Sequence, residues 1–401
     1  MILKPTSHFS GEIMLPGSKS ISNRVLLLGA LAEGRSNFTG ILESEDTRYM
    51  RNALERLGKA TNANFANKNE NLFLGNAGTA MRSLAAVLCL GEGEYILRGE
   101  PRMHERPIKD LVDALCSLGA NIGYLGNIGF PPLLIAAKGL NGGKVSIKGN
   151  ISSQFLSALL IAAPYCRESL EIIVDGELIS KPYIYMTVRL MERFGIKVEN
   201  NDFKSFKVEK GRYKAQSFNV EGDASSASYF WAGAAITKGN VLVKGLEEDS
   251  LQGDVKFLDV LKEMGEELNG ITVDATLFPD AAMTICPVAC YAKGKTKITG
   301  IASWKVKETD RISAMATELR KVGAIVESTE DSISITPPEK ILPATIETYK
   351  DHRMAMCFSL LSLNSPHKSG AEITILDPAC VNKTFPNYFR EFEKLTNSVR
   401  D

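Results

Sequence analysis

The chain has 401 residues, a length that predicts two or three domains. Its 47 lysines and arginines balance 47 aspartates and glutamates, which excludes the basic surplus of a generic nucleic-acid or membrane-surface binder. Apolar residues make up 44% and charged residues 23%, a globular composition that argues against disorder and coiled coil.

The first stretch, Met1 to Ser20, has neither an apolar signal core nor an Arg-rich transit character. A turn at Pro16-Gly17 then leads through Ser18-Lys19-Ser20-Ile21-Ser22-Asn23-Arg24 into the apolar run Leu26 to Leu31. A helix that starts with small and polar residues and then has no polar face is predicted to be buried. The same pattern starts again at Asn76, Ser152, Gly222, Asp280 and Asp351. A second class of helix alternates with it, amphipathic and closed by glycine at 58, 119, 195, 265 and 323. A sixth copy, Phe392 to Leu395, lacks the glycine. Short β-rich runs such as Ser169 to Val174 and Lys295 to Thr299 lie between the helices. The chain therefore reads as α/β, six units in two halves of three.

Seven cysteines at 89, 116, 166, 286, 290, 357 and 380 are odd in number and irregular in spacing. They predict free thiols in a reducing compartment, and no His or Cys pair completes a zinc set with Cys286 and Cys290. The apolar run from Phe155 to Pro164 is about half the ~20 residues of a membrane span. The expectation is a cytoplasmic protein without metal or cofactor.

Six buried helices present six N-termini, whose unpaired N–H groups attract anions. The first carries the most polar groups. Lys19, two hydroxyls and Arg24 open it after a glycine turn, as in a phosphate loop, but Ser18 separates Gly17 from Lys19, so it is not a Walker A motif. Single residues elsewhere stay ambiguous. Asp280 could cap its helix, as Thr309 could cap the next. Glu308, between Lys307 and Arg311, could belong to a solvated ion-pair face.

The segment Pro16-Gly17-Ser18-Lys19-Ser20-Ile21-Ser22-Asn23-Arg24 resembles the opening motif of the EPSP synthase (3-phosphoshikimate 1-carboxyvinyltransferase) family of enolpyruvyl transferases. The resemblance continues in family order through Leu74 to Arg82, Arg102 to Pro107, Ser152 to Phe155, Ser180 to Tyr183 and Gly222 to Ala227. It extends through Phe278 to Ala282, Val306 to Arg311, Asp351 to Ala355 and Lys383 to Pro386. It implies a two-domain inside-out α/β barrel fold, each domain three βαβαββ units. Residues 18–221 would form the shikimate 3-phosphate-binding domain. Residues 1–17 and 222–401 would form a discontinuous second domain, with the active site in the cleft between them.

The implied reaction transfers the enolpyruvyl group of phosphoenolpyruvate to the 5-hydroxyl of shikimate 3-phosphate and releases phosphate, by addition and elimination. That is EC 2.5.1.19, the glyphosate-inhibited step of chorismate and aromatic amino acid biosynthesis. The resemblance assigns catalysis to Asp280, Glu308 and Lys19. It assigns the acceptor to Lys19, Ser20, Arg24, Ser152, Ser153, Gln154, Ser180, Tyr183, Asp280, Ser303 and Lys307. Phosphoenolpyruvate falls to Lys19, Gly78, Arg106, Gln154, Arg311, Arg353 and Lys383. Gathering phosphates and carboxylates calls for this many cations, arginine above all. The family also implies a monomer, and mutual repulsion of convergent positive helix ends predicts an open form that closes on its acceptor.

Two positions depart from the family. Ser303 stands where asparagine is common, with a shorter reach toward the acceptor. Ser83 replaces a proline that would stiffen the helix of Gly78, so weakened glyphosate inhibition is expected. Two rivals remain: an enolpyruvyl transferase acting on UDP-N-acetylglucosamine, and a non-catalytic phosphate-binding protein. The first would carry an early Lys-Asn pair, where this chain has Lys19-Ser20, and a loop cysteine, where Cys116 lies in a helical pattern. The second has no need of carboxylates among its cations.

Overall fold

The computed structural model describes residues 1–397. Most of the buried helices begin at a side chain that takes up one of their own orphan N–H groups. Ser18 accepts from the amide of Ile21 at 3.5 Å, Ser152 from Gln154 at 3.2 Å, and Asp223 from Ser226 at 2.8 Å. Asp351 does the same for Arg353 at 2.9 Å. These caps open the helices Lys19–Leu31, Ser153–Ala162, Ala224–Thr237 and His352–Ser359. A further buried helix, Gly78–Val87, starts without a side-chain cap bond. The remaining one is shorter than its apolar run suggests: a 3-10 turn, Ala281–Thr284, leads into only Ile285–Ala289. Pro287 lies inside it and has no N–H to extend the α-helical ladder.

The amphipathic helices end as their glycines require. Gly58, Gly119, Gly195, Gly265 and Gly323 all have φ between 68° and 94°. At Gly58 the amide turns back onto the carbonyls of Leu54 and Glu55, closing helix Glu45–Leu57.

Contacts divide the chain into two units. Residues 18–220 form an inserted unit; Met1–Gly17 and the chain from Glu221 onward form a split one. The boundary falls one residue before the expected 221/222. Glu221 is buried, and its carboxylate accepts from Ser250 Oγ and from the amides of Glu247 and Leu251, all in the split unit.

One sheet pattern recurs. In the inserted unit Asn69–Phe73 runs parallel to Glu92–Arg98, which pairs antiparallel with Leu133–Lys138, itself flanked by Asn121–Tyr124. Gly143–Lys148, Leu170–Asp175, Ser205–Val208 and Val198–Asn201 repeat that order. So do Thr272–Asp274, Thr296–Thr299, Ile333–Thr336 and Ile325–Ser328 in the split unit. A parallel pair needs a crossover, and a buried helix supplies it each time.

Three further parallel pairs close the count of six. Ser217–Asn219 pairs with Asn37–Thr39, Gly11–Met14 with Val241–Lys244, and Ala344–Ile346 with Ile373–Ile375. Strands such as Leu133–Lys138 and Leu170–Asp175 are more deeply buried at every second residue. Within the inserted unit, helix Gly78–Val87 packs on Lys19–Leu31 and on Ser153–Ala162. Each is nearly all apolar beyond its first turn, so each can be surrounded by protein.

Candidate active site

In the inserted unit the expected residues form three groups near helix starts. The first is Lys19, mostly buried, with Nζ 3.6 Å from Oδ2 of the buried Asp46. Ser20 follows it in the first helical turn.

The second group surrounds Arg24, which is only 4% exposed. Its guanidinium donates to Thr187 Oγ1 at 2.8 Å, to the Ser20 carbonyl at 2.9 Å and to Ser157 Oγ at 3.3 Å. A longer bond, 3.4 Å, reaches the Tyr183 carbonyl. Burial pulls the Arg24 guanidinium down to about 10. Ser152 caps its helix, Ser153 and Gln154 follow in the first turn, and Ser180 sits at the start of Lys181–Arg193 with φ 54°.

The third group is Arg106 with Gly78. Arg106 is buried, and its Nη1 donates to the Asn76 carbonyl at 3.0 Å and to Asn76 Oδ1 at 2.8 Å. A methyl group on Gly78 would lie 2.6 Å from Arg106 Nη2. Arg82, one helical turn on, donates to the Pro107 carbonyl at 2.9 Å and so fixes the chain just after Arg106.

The split unit gathers a denser cluster. Asp280 does not cap its helix. Its Oδ1 lies 3.3 Å from Lys307 Nζ and 3.1 Å from Arg311 Nη1, and its Oδ2 lies 3.1 Å from Arg353 Nη2. Glu308 is buried, 2.8 Å from Arg311 Nη2 and 4.0 Å from Lys383 Nζ. Asp310, not Thr309, caps the helix Arg311–Lys321. Arg353 also donates to Tyr229 Oη at 3.3 Å. Ser303 lies in the 3-10 turn Ala302–Val306, beside the buried Trp304, whose Nε1 donates to the Pro279 carbonyl at 2.7 Å. That bond ties the Ser303 turn to the residue before Asp280.

Charge explains the cluster. Burial lowers the Lys307 ammonium, and Asp280 only partly restores it. Burial also disfavours the Arg311 cation, but Asp351, Glu308 and Asp280 together outweigh it and raise its pKa.

Two carboxylates here were not singled out as site residues from the sequence. Asp351 is fully buried and holds Arg311. Asp254, in Gln252-Gly253-Asp254, accepts from the Ala281 amide at 3.0 Å and Ser225 Oγ at 2.8 Å. Burial, then repulsion from Asp280, pushes its carboxyl up to about 6. Asp351 was visible as the residue before a buried helix and the first of the matched segment Asp351 to Ala355, without a role; nothing marked Asp254. The arrangement offers cations for several anionic groups, with two carboxylates among them able to exchange protons.

A family model described as EPSP synthase (3-phosphoshikimate 1-carboxyvinyltransferase) matches residues 3–392. A 3-phosphoshikimate 1-carboxyvinyltransferase from Shewanella pealeana is 51% identical over 98% of this chain and 99% of its own. The Vibrio cholerae protein of that name is 51% identical over 99% of both. A solved EPSP synthase from Acinetobacter baumannii superposes with a TM-score of 0.80 at 27% identity, over 99% of this chain and 97% of that one. The recurrent βαβαββ units are thus those of the two-domain EPSP synthase fold. With near-complete coverage and half of all residues identical, the chain belongs to the EPSP synthase family.

Proposed function

We propose that the chain transfers the enolpyruvyl group of phosphoenolpyruvate to the 5-hydroxyl of shikimate 3-phosphate. The products are 5-enolpyruvylshikimate 3-phosphate and phosphate, in the shikimate pathway of aromatic biosynthesis. The observation that carries this is Asp280, a carboxylate held by Lys307, Arg311 and Arg353 in a chain of this family.

The acceptor is held by Lys19, Ser20, Arg24, Ser152, Ser153, Gln154, Ser180 and Tyr183 of the inserted unit, which serves as the acceptor-binding domain. Asp280, Ser303 and Lys307 complete its contacts. Phosphoenolpyruvate is held by Lys19, Gly78, Arg106, Gln154, Arg311, Arg353 and Lys383. Arg24 supports this because no carboxylate among the described residues pairs with it, so its charge stays available for an anion.

In the addition step Asp280 takes the proton of the acceptor's 5-hydroxyl as that oxygen attacks C2 of phosphoenolpyruvate. A proton is delivered to C3, with Glu308 as the exchanging group and Lys19 as acid or electrostatic stabiliser. In the elimination step a C3 proton leaves again and the C2–O bond to phosphate breaks. Glu308 takes that C3 proton back, and the departing phosphate takes the proton Asp280 holds, so both carboxylates are regenerated. Lys307 and Arg353 hold the two Asp280 oxygens in place beforehand.

Phosphate release on mixing shikimate 3-phosphate with phosphoenolpyruvate tests the reaction. Release with UDP-N-acetylglucosamine instead would overturn the acceptor assignment. Asp280→Ala and Lys19→Met should each lose most activity. Action as a monomer is part of the proposal, and light scattering checks it. So is a cytoplasmic site of action, with which seven free cysteines, five of them buried, agree.

A further inference from the structure

Arg24 and Arg311 are both buried, yet they are held in opposite ways. Arg311 lies among three carboxylates, Asp351, Glu308 and Asp280. Arg24 donates to two hydroxyls, Thr187 Oγ1 and Ser157 Oγ, and to two carbonyls, those of Ser20 and Tyr183. All four acceptors are neutral. Burial accordingly lowers Arg24, whereas Arg311 ends raised.

The hydroxyl pair has a defined direction. Thr187 Oγ1 donates its one proton to the Tyr183 carbonyl at 2.8 Å. Ser157 Oγ lies 3.0 Å from Thr187 Oγ1, so Ser157 is the donor between them. Both oxygens therefore keep lone pairs for the guanidinium. Ser157 and Thr187 lie on different helices, Ser153–Ala162 and Lys181–Arg193, so the pair also fixes Arg24 against two elements of the unit.

We infer that Thr187 and Ser157 are positioning residues, which orient the Arg24 guanidinium through neutral acceptors and leave its charge uncompensated for the phosphate-bearing acceptor. The inference rests on the assignment of Arg24 to shikimate 3-phosphate. A carboxylate in place of either hydroxyl would orient Arg24 equally well but would compete with the incoming anion. Neutral holders avoid that competition, and the bound anion then supplies the missing counter-charge.

The test is calorimetric binding of shikimate 3-phosphate alone, with steady-state kinetics beside it. Thr187→Val keeps the shape and removes the acceptor. It should weaken binding about tenfold and raise KM for shikimate 3-phosphate more than it lowers kcat. Thr187→Ser should restore both. In an Arg24→Met background Thr187→Val should add no further loss. Thr187→Asp, which offers Arg24 a stronger acceptor, should bind the ligand worse than Thr187→Val, with near-ultraviolet circular dichroism confirming that each variant is folded. Unchanged affinity in Thr187→Val, or wild-type affinity in Thr187→Asp, overturns the inference. A wild-type protein that fails to bind shikimate 3-phosphate overturns the functional proposal, and this inference with it.

Discussion

Asp351 grips Arg311 with both carboxylate oxygens: Oδ2 lies 2.7 Å from Nε and Oδ1 lies 3.3 Å from Nη2. Oδ1 also accepts from the Arg353 amide, so one buried carboxylate orients two arginines assigned to phosphoenolpyruvate. Asp351→Ala leaves Arg311 less compensated and removes a helix cap. Breaking a buried pair costs about 3–5 kcal/mol. Urea unfolding should show a loss of that order, and Asp351→Asn, which keeps an acceptor for the cap, should lose less.

Asp254 gives a pH signature. Its carboxyl rises from the ordinary 3.8 to about 6 in the fold. Between those values the folded chain holds a proton that the unfolded chain has released, so the contribution to stability is full below about pH 4. It is lost as pH rises through about 6. Asp254→Asn removes this titration while keeping an oxygen for the Ala281 amide. Relative to wild type, the variant should gain stability from pH 4 to pH 7 by on the order of 2 kcal/mol. Chemical denaturation at the two pH values checks it; parallel curves would reject it.

Gly78→Ala places a methyl group against the Arg106 guanidinium, which must move. The KM for phosphoenolpyruvate should rise about tenfold, while calorimetric affinity for shikimate 3-phosphate stays within about twofold. Equal losses for both ligands would show a wider distortion.

Tyr349 and Lys350 both have left-handed φ angles, 53° and 54°, in the turn leading to Asp351. A side chain in that region costs roughly 1–2 kcal/mol, and glycine avoids it at some entropic expense. Lys350→Gly should therefore stabilise the protein by about 0.5–1 kcal/mol in urea unfolding, and Lys350→Ala should not.

Lys307 holds a lowered ammonium against Asp280. If its charge is needed, kcat/KM should decline at a pH below the ordinary lysine value of 10.5. Lys307→Arg should move that decline upward, measured as a full pH profile.

Much of the fold was legible because local chemistry fixed it. A glycine after the last apolar turn of an amphipathic helix announced the positive-φ stops at 58, 119, 195, 265 and 323. Ser152, Asp223 and Asp351 stood where caps were needed. The motif residues were legible because Pro16 to Arg24, and the segments after it, are contiguous.

What stayed hidden depends on long-range contacts. Thr187 reaches Arg24 across 163 positions and Ser157 across 133, and neither stands out in its own helix. Asp280 without its motif read more readily as a cap, and the cations around it, Lys307, Arg311 and Arg353, lie up to 73 positions away. Glu221 joined the split unit through loop amides that no local pattern announces.

The insertion of residues 18–220 has a consequence for synthesis. Strand Gly11–Met14 leaves the ribosome early, but its partner Val241–Lys244 is made more than 200 residues later. At typical bacterial to eukaryotic elongation rates that is roughly 10–45 s of waiting. The inserted unit can complete itself on the nascent chain meanwhile, and the exposed leading strand must avoid promiscuous edge pairing until then. Leu3, which pairs with Ile373, waits for a partner 370 positions later.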